Sequence, residues 1–532
     1  MTATTVMKCV FYSNFKDEVF ADYGGSSRRG WHHHGLNAMQ SAISAFFVFI
    51  PWINPFSLGP TPIVVNSIIT AICLSACIIW TAALAERKEA QLPQSAIPAG
   101  WLWAATLSAL AGLVQYAGVE QVFYPWVSNA QLGEAYGNLR QRNQFATLVN
   151  IGLVMVLWWR LLPSLLLRVP VTNIALWWLA FLLVIASAAS SSRTGLLELM
   201  LVAGLAWLWR PQGNPWHRQP MLRMVMSCVV VYFAASVALP LLIGLDPNSS
   251  GILGRFRDGA SACQSRLTLW SNVLHLIAQK PWTGWGWGEL DYAHFITLYP
   301  GARFCDILDN AHNLPLHLAV ELGVPVSAAF CAVCIWLIKR EKPWREQDPM
   351  RQLAWTVLGL IGLHSLLEYP LWYGPFQMTV LLCFYILWRT PASWRGADSQ
   401  VKPLPPALRH TASALAVAVM VVCAYAAWDY WRISQIYTAP SQRDPSYQDD
   451  TLNKIRGSWL FQNQVRFAEL NITPLTKDNA EHINALAKEM LHFSPEPQVV
   501  KKLIESAVML GRDDEAAFYL QRFKAAFPNA EL

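Results

Sequence analysis

Long apolar runs alternate with short polar connectors along most of this chain, and the alternation predicts its architecture. Runs of about 20 residues, enough to cross roughly 30 Å of hydrocarbon as a helix, recur near 37–56, 63–85, 98–118, 144–160, 171–190, 195–209, 222–244, 314–338, 351–368, 371–388 and 409–431. Read as spans, they predict an all-α polytopic membrane protein of about eleven transmembrane helices. One interruption, 245–313, is far longer than the others. After Tyr430 the pattern becomes that of soluble helices over Lys454–Leu470, Asn479–Phe493 and Gln498–Phe527. The last of these breaks at Gly511–Arg512–Asp513, so a small helical, TPR-like domain is expected. Three regions follow: a polar segment 1–36 that reads as disordered, a transmembrane domain 37–430 containing the loop 245–313, and a separable helical domain 431–532.

Charge orients this frame. Only 14% of the 532 residues are charged and 54% are hydrophobic, against roughly a quarter charged in a soluble protein. Basic residues gather in Glu86–Glu89, Arg160–Arg168, Arg210–Arg223, Lys339–Arg351 and Arg389–Arg409, all on one side when the spans are counted alternately. The positive-inside rule makes that side cytoplasmic, which accounts for the net charge of +6 without a nucleic-acid partner. The basic N-terminus falls inside and the C-terminus outside. The N-terminal segment lacks the apolar core of a signal peptide; it is either disordered or an over-extended start upstream of Met39. Its His32–His34 run reads as a surface feature rather than a metal site. No GxxxxGK[ST] or GxGxxG cradle is present, so no nucleotide cofactor is expected.

The chemistry-bearing residues fall on the opposite, non-cytoplasmic side. Arg140 and Arg142 flank Gln141 in YGNLRQRNQF, Arg193 sits in SSSRTG, and Arg266 opens the amphipathic segment Leu267–Ile277. Several guanidinium forks on one face suit a diphosphate, although Arg193 can equally snorkel to lipid. His312, in DNAHN, is the candidate for proton transfer. Asp309, Asn310 and Asn313 either orient it or cap the following helix. Asp306, Asp309 and His312 have a spacing that a helix would bring together around a metal, but no second histidine accompanies them. In WTGWGWG, Trp282–Gly288, the rings either anchor at the membrane interface or stack on substrate, with Trp285 the candidate. Glu368–Tyr369 is a polar pair in a short bend, His364 one turn earlier reads as buried, and Cys331 and Cys334 read as core. Cys263 and Cys305 share the long outer loop. There they are either two free thiols or, as expected in an oxidising compartment, a disulfide.

These motifs in this order resemble the bacterial O-antigen ligase and polymerase superfamily, and most closely its PglL-type, pilin-glycosylating protein O-oligosaccharyltransferase branch. The likeness rests on Tyr136–Ala146, Ser191–Gly195, Arg266–Trp270, Pro281–Gly288, Asp309–Asn313 and His364–Pro370, and the helical tail matches as well. The resemblance implies a glycosyltransferase of the bacterial inner membrane with its site facing the periplasm. It implies a lipid-linked oligosaccharide donor, an undecaprenyl diphosphate, and a pilin-like protein acceptor, with no cofactor and no metal. Arg193 and Arg266 match the diphosphate-binding arginines, His312 the essential histidine, and Gln141 and Tyr369 polar residues of the branch. Tyr369, Gln141, Arg266 and His312 are therefore expected to be catalytic. Arg193, Arg140, Arg142, Asn310, Asn313, Glu368 and Trp285 are expected to bind substrate. Arg140 and Arg142 stand where the branch commonly has Gly and Pro, adding charge beside the proposed diphosphate. Competing readings are an O-antigen ligase acting on lipid A-core, a glycan polymerase, and a non-enzymatic lipid-linked glycan transporter. The transporter would need charge along several spans, and the spans here are almost uncharged internally.

Overall fold

The computed structural model describes residues 27–57, 59–86, 96–159, 172–211, 219–257, 262–390, 392 and 405–530. Every regular element among them is helical. Residues 1–26, most of the polar segment expected to be disordered, lie outside the described residues, as does much of the basic connectors. The helices of the N-terminal half are α1 (Ser27–Ile53), α2 (Pro62–Glu86), α3 (Ala96–Tyr116), α4 (Arg142–Trp158), α5 (Asn173–Ala189), α6 (Arg193–Leu208) and α7 (Pro220–Leu242). The outer loop carries α8 (Gly251–Arg257), α9 (Arg266–Gln279) and α10 (Leu290–Ile296). Then come α11 (Leu314–Leu322), α12 (Val324–Glu341), α13 (Pro349–Ser365), α14 (Gly374–Arg389) and α15 (Pro406–Ser434).

Among the described residues, Ile63–Leu84, Ala96–Tyr116, Pro220–Leu242 and Pro406–Tyr437 are long and apolar enough to cross a membrane; Met39–Ile53 and Asn173–Ala189 are shorter apolar helices. The core explains why other helices are shorter. In α4 every residue from Gln144 to Trp158 is buried, enclosed by α3, α5, α6 and α13. Such a helix meets protein rather than lipid along its length, so it need not match the hydrocarbon thickness. Close approach comes from small residues. A Cβ on Gly152 would lie 2.3 Å from that of Ala105, and one on Gly195 2.6 Å from that of Ala146.

The structure corrects the expected span 314–338. It is two helices, broken at Gly323, where φ is +88° and a Cβ would lie 2.3 Å from the Trp282 carbonyl oxygen. Only glycine accommodates both the backbone angle and the contact. α11 therefore belongs with the outer loop: Val320 packs with Leu269, Val273, Leu276, Leu308 and Ala311 in a small core of its own. Cys263 and Cys305 are joined in a disulfide across this loop, with Cα atoms 5.3 Å apart.

The tail comprises α16 (Thr451–Ile455), α17 (Gln462–Ile472), α18 (Ala480–Leu491), α19 (Pro497–Met509) and α20 (Asp513–Ala526). The expected helix over Lys454–Leu470 is interrupted, whereas the break at Gly511 (φ +69°) lies where the sequence places it. The tail packs against the loop helix α10. Phe295 of α10, 2% exposed, lies in its core with Leu470, Ile483, Val499, Leu503 and Phe523. Tyr292 stacks on His492 at 3.9 Å, and Arg522 donates to the Ile296 carbonyl at 2.8 Å. Deleting a buried phenylalanine side chain costs about 3–5 kcal/mol. Phe295→Ala should therefore lower the melting temperature in detergent and open the 435–461 connector to limited proteolysis, while an unchanged digestion pattern would show that the docking does not depend on this residue.

Candidate active site

Three arginines occupy the first position of three helices. Arg142 opens α4 behind Gln141, whose Oε1 accepts the Gln144 N–H at 2.6 Å. Arg193 opens α6 behind Ser192, whose Oγ accepts the Gly195 N–H at 2.9 Å. Arg266 opens α9 behind Ser265, whose Oγ accepts the Thr268 N–H at 3.1 Å. Asn313 caps α11 in the same way at 3.1 Å, directly after His312. Each helix start adds the partial positive charge of free N–H groups, so these are places suited to an anion. The turns leading into them are strained. Arg140, Ser191 and His312 have φ of +59°, +54° and +49°, a left-handed conformation costing roughly 1–2 kcal/mol with a side chain.

A web of polar bonds joins these helix starts. Asn143 donates to Glu368 Oε1 at 2.9 Å and accepts from Ser192 Oγ at 2.6 Å, tying α4 to α6. Arg266 forms an ion pair with the same Glu368 oxygen, and His312 Nδ1 lies 2.6 Å from the other, Oε2. Burial alone would raise the Glu368 carboxyl. The hydrogen bond from His312, with the charges of His312 and Arg266, outweighs it and holds the group below the ordinary carboxylate range. With Nδ1 engaged, the second ring nitrogen of His312 is left for another partner. The Tyr369 ring meets His312 edge-on at 5.0 Å. Burial, then Tyr373, Asp309 and Glu368, push its hydroxyl upward, so it stays protonated and able to donate.

A further arginine completes the cluster. Arg255 of α8 donates to the Ser191 carbonyl at 3.0 Å. Burial lowers its pKa first, and the charges of Arg142, Arg193 and Arg266 lower it further, with Glu368 opposing them. Arg255 thus feels the charge of the three arginines that open α4, α6 and α9.

The remaining candidates are also engaged with neighbours. Gln141 caps α4, Arg140 donates to the Pro55 carbonyl at 2.9 Å, and Arg142 pairs with Glu134. Asn310 accepts the His312 backbone N–H at 3.0 Å, and Asn313 also donates to the Leu366 carbonyl at 3.0 Å. Trp285 turns inward: its Nε1 donates to the Leu276 carbonyl at 3.1 Å and Lys280 lies 4.1 Å over its ring. Residues 306–312 are not helical, and among the described residues no three His, Cys, Asp or Glu side chains gather as a metal site would. Arg140 takes a left-handed angle of φ +59° and Arg142 the first helical position of α4.

Sequence reasoning missed Arg255, Asn143 and Glu198. Glu198 is fully buried in α6, bonded through Oε1 to Thr147 at 2.5 Å and through Oε2 to Asn150 at 2.9 Å. His364 Nδ1 lies 2.8 Å from the same Thr147 hydroxyl. A carboxylate inside an apolar run was the available signal.

The fold and site define a polytopic helical membrane protein with an arginine-rich, histidine-bearing site where its outer loop meets its spans. Comparison with known proteins bears out the resemblance drawn from the sequence. Residues 178–331 match the family model described as O-antigen ligase, 135–159 that described as protein glycosylation ligase, and 352–532 that described as virulence factor membrane-bound polymerase, C-terminal. A general O-oligosaccharyltransferase of Acinetobacter baylyi is 24% identical over 397 residues, 72% of this chain and 65% of the relative. A ComP-specific O-oligosaccharyltransferase of the same organism is 27% identical over 285 residues, 53% and 48% respectively. The chain thus spans about two thirds and about half of the length of these curated relatives.

The depressed Glu368 carboxyl sets a pH dependence. Its stabilisation is complete above the unfolded carboxyl value, about 4.3, and is lost as pH falls through the lower folded value. The melting-temperature gap between wild type and Glu368→Gln should hold above the unfolded carboxyl value of about 4.3 and close as the pH falls through the lower folded value. A gap independent of pH would contradict the ionised clamp.

Proposed function

We propose that the protein is a protein O-oligosaccharyltransferase, moving a glycan from a polyprenyl diphosphate such as undecaprenyl diphosphate to a Ser or Thr hydroxyl of a periplasmic protein such as a pilin. The observation that carries this reading is a histidine held through Nδ1 by a buried carboxylate beside arginines at helix starts. Glu368, expected from the sequence to bind substrate, instead orients His312, as the carboxylate of a hydrolase triad orients its imidazole. His312 Nε2 takes the hydroxyl proton as the acceptor oxygen attacks the anomeric carbon. The bond from that carbon to the diphosphate oxygen breaks, and its electron pair leaves with the diphosphate. Arg193, Arg255 and Arg266 stabilise the charge growing there. A single displacement of this kind inverts the anomeric centre. The fixed cations do the work a metal does in other phosphate-leaving reactions, so the reaction is taken to be metal-independent.

The lipid chain of the donor would lie between spans. An apolar cleft of about 420 Å³ between α1, α2 and α3, lined in part by Ile50, Ile53, Ile69, Leu107 and Trp126, offers such a surface. The same reading carries about eleven spans in the bacterial inner membrane, a periplasmic site, and a TPR-like tail that engages the acceptor protein. A second reading, an O-antigen ligase with lipid A-core as acceptor, is favoured by the O-antigen ligase match over 178–331.

Co-expression with a pilin and a lipid-linked glycan, in cells lacking their own ligase, separates the two readings. Intact-mass analysis of the pilin and glycan staining of lipopolysaccharide report which acceptor is used. His312→Ala should lower turnover about 10²–10⁴-fold with donor binding largely kept, Arg266→Ala should weaken both, and a chelator should do little. A fully active His312→Ala enzyme, or activity abolished by chelator and restored by a divalent ion, would rule the mechanism out.

A further inference from the structure

The Gly/Trp motif of the outer loop presents a second feature that the chemistry above does not use. Gly284, Gly286 and Gly288 have φ of +67°, +118° and +79°, and these angles turn successive indoles to opposite sides. A Cβ on Gly284 would lie 2.3 Å from the Glu321 carbonyl, so the loop is pressed onto α11. Trp285 and Gly286 donate their backbone N–H groups to the carbonyls of Val320 and Glu321, each at 2.9 Å. Trp285 is thereby packed inward and Trp287 is left 62% exposed.

Trp287 is nonetheless fixed. Its ring stacks on Trp372 with centroids 5.9 Å apart and planes at 13°. His317, 2% exposed, meets Trp372 edge-on at 4.8 Å and Trp287 at 6.2 Å. Its Nε2 lies 3.3 Å from Glu321 Oε2. Trp372 ends the short turn Pro370–Trp372 that follows Tyr369, and Tyr369 is the ring against His312. A pair of stacked, backed indoles therefore lies, at Trp372, three residues along the chain from Tyr369, the ring that meets the group proposed to activate the acceptor. An interfacial anchor needs only an indole edge at the headgroups; it does not need paired, backed rings. The C–H face of a sugar ring is complementary to the negative face of an indole.

We infer that the Trp287–Trp372 pair is the subsite that stacks a sugar of the transferred glycan. This rests on the glycosyl-transfer reading above, and it makes the pair a determinant of which glycan is accepted. Kinetics in nanodiscs with a lipid-linked glycan donor test it, together with saturation-transfer NMR of the lipid-free oligosaccharide on the His312→Ala protein. Trp287→Ala should raise the donor KM about tenfold, the loss of one good aromatic contact, with a smaller change in kcat, and should abolish saturation transfer. Trp287→Phe should restore most of both. Transfer by the wild type with KM and saturation transfer unchanged in Trp287→Ala would overturn the subsite alone. So would a variant that lost only thermal stability or retention in the nanodisc, which would mark an anchor. Absence of any transfer by the wild type would instead count against the reaction.

Discussion

The site depends on holding like charges together. Arg142, Arg193 and Arg266 open α4, α6 and α9, where backbone N–H groups add positive charge of their own, and Arg255 of α8 reaches the Ser191 carbonyl just before α6. Left alone, such a cluster would repel itself. Glu368 opposes it from within, pairing with Arg266 and His312, and Glu134 pairs with Arg142 at its edge. The remaining excess of positive charge is fixed by helix geometry and suits the polyanionic donor proposed above. Preorganisation of this kind is what makes electrostatic stabilisation effective, because the cations need not be recruited during the reaction.

α4 transmits that constraint into the membrane. Its first turn carries Arg142 and Asn143, and its buried body carries Thr147 and Asn150. These two bond to Glu198 of α6, and Thr147 meets His364 of α13. The His364 carbonyl in turn accepts the Glu368 backbone N–H at 2.8 Å. Buried polar groups are costly unless every one is paired, so this network admits few relative positions of the three helices. The register that satisfies Glu198 is also the one that presents Asn143 and Glu368 to each other.

How much of this the sequence disclosed follows from the physics of each signal. Spans are legible because hydropathy integrates over about 20 residues; Arg193 and His312 stand out as polar groups at span ends, whereas Arg266, inside the long loop, is singled out only by the resemblance. Arg255 does not stand out, since nothing in GRFRDG distinguishes it from Arg257; only the tertiary approach of α8 to Ser191 does. Gln141 and Trp285 belong to motifs the sequence singles out, and the structure adds that one caps α4 and the other packs on the loop core. Side-chain direction is set by the left-handed angles at Arg140 and in the Gly/Trp loop, which local pattern does not encode. The break at Gly323 was hidden for a related reason: the residues around it are apolar, and the angle is imposed by the carbonyl of Trp282, far away in sequence.

The site is also assembled from two bodies. Arg255, Arg266 and His312 come from the outer loop with its own small core and disulfide, whereas Asn143, Ser192 and Glu368 come from the ends of the spans. Neither set is complete without the other. The loop is bound on its far side as well, because Phe295 is a core residue of the tail and Arg522 reaches the end of α10. The loop half of the site is therefore held on both sides, by the span ends through Glu368 and by the tail through Phe295 and Arg522.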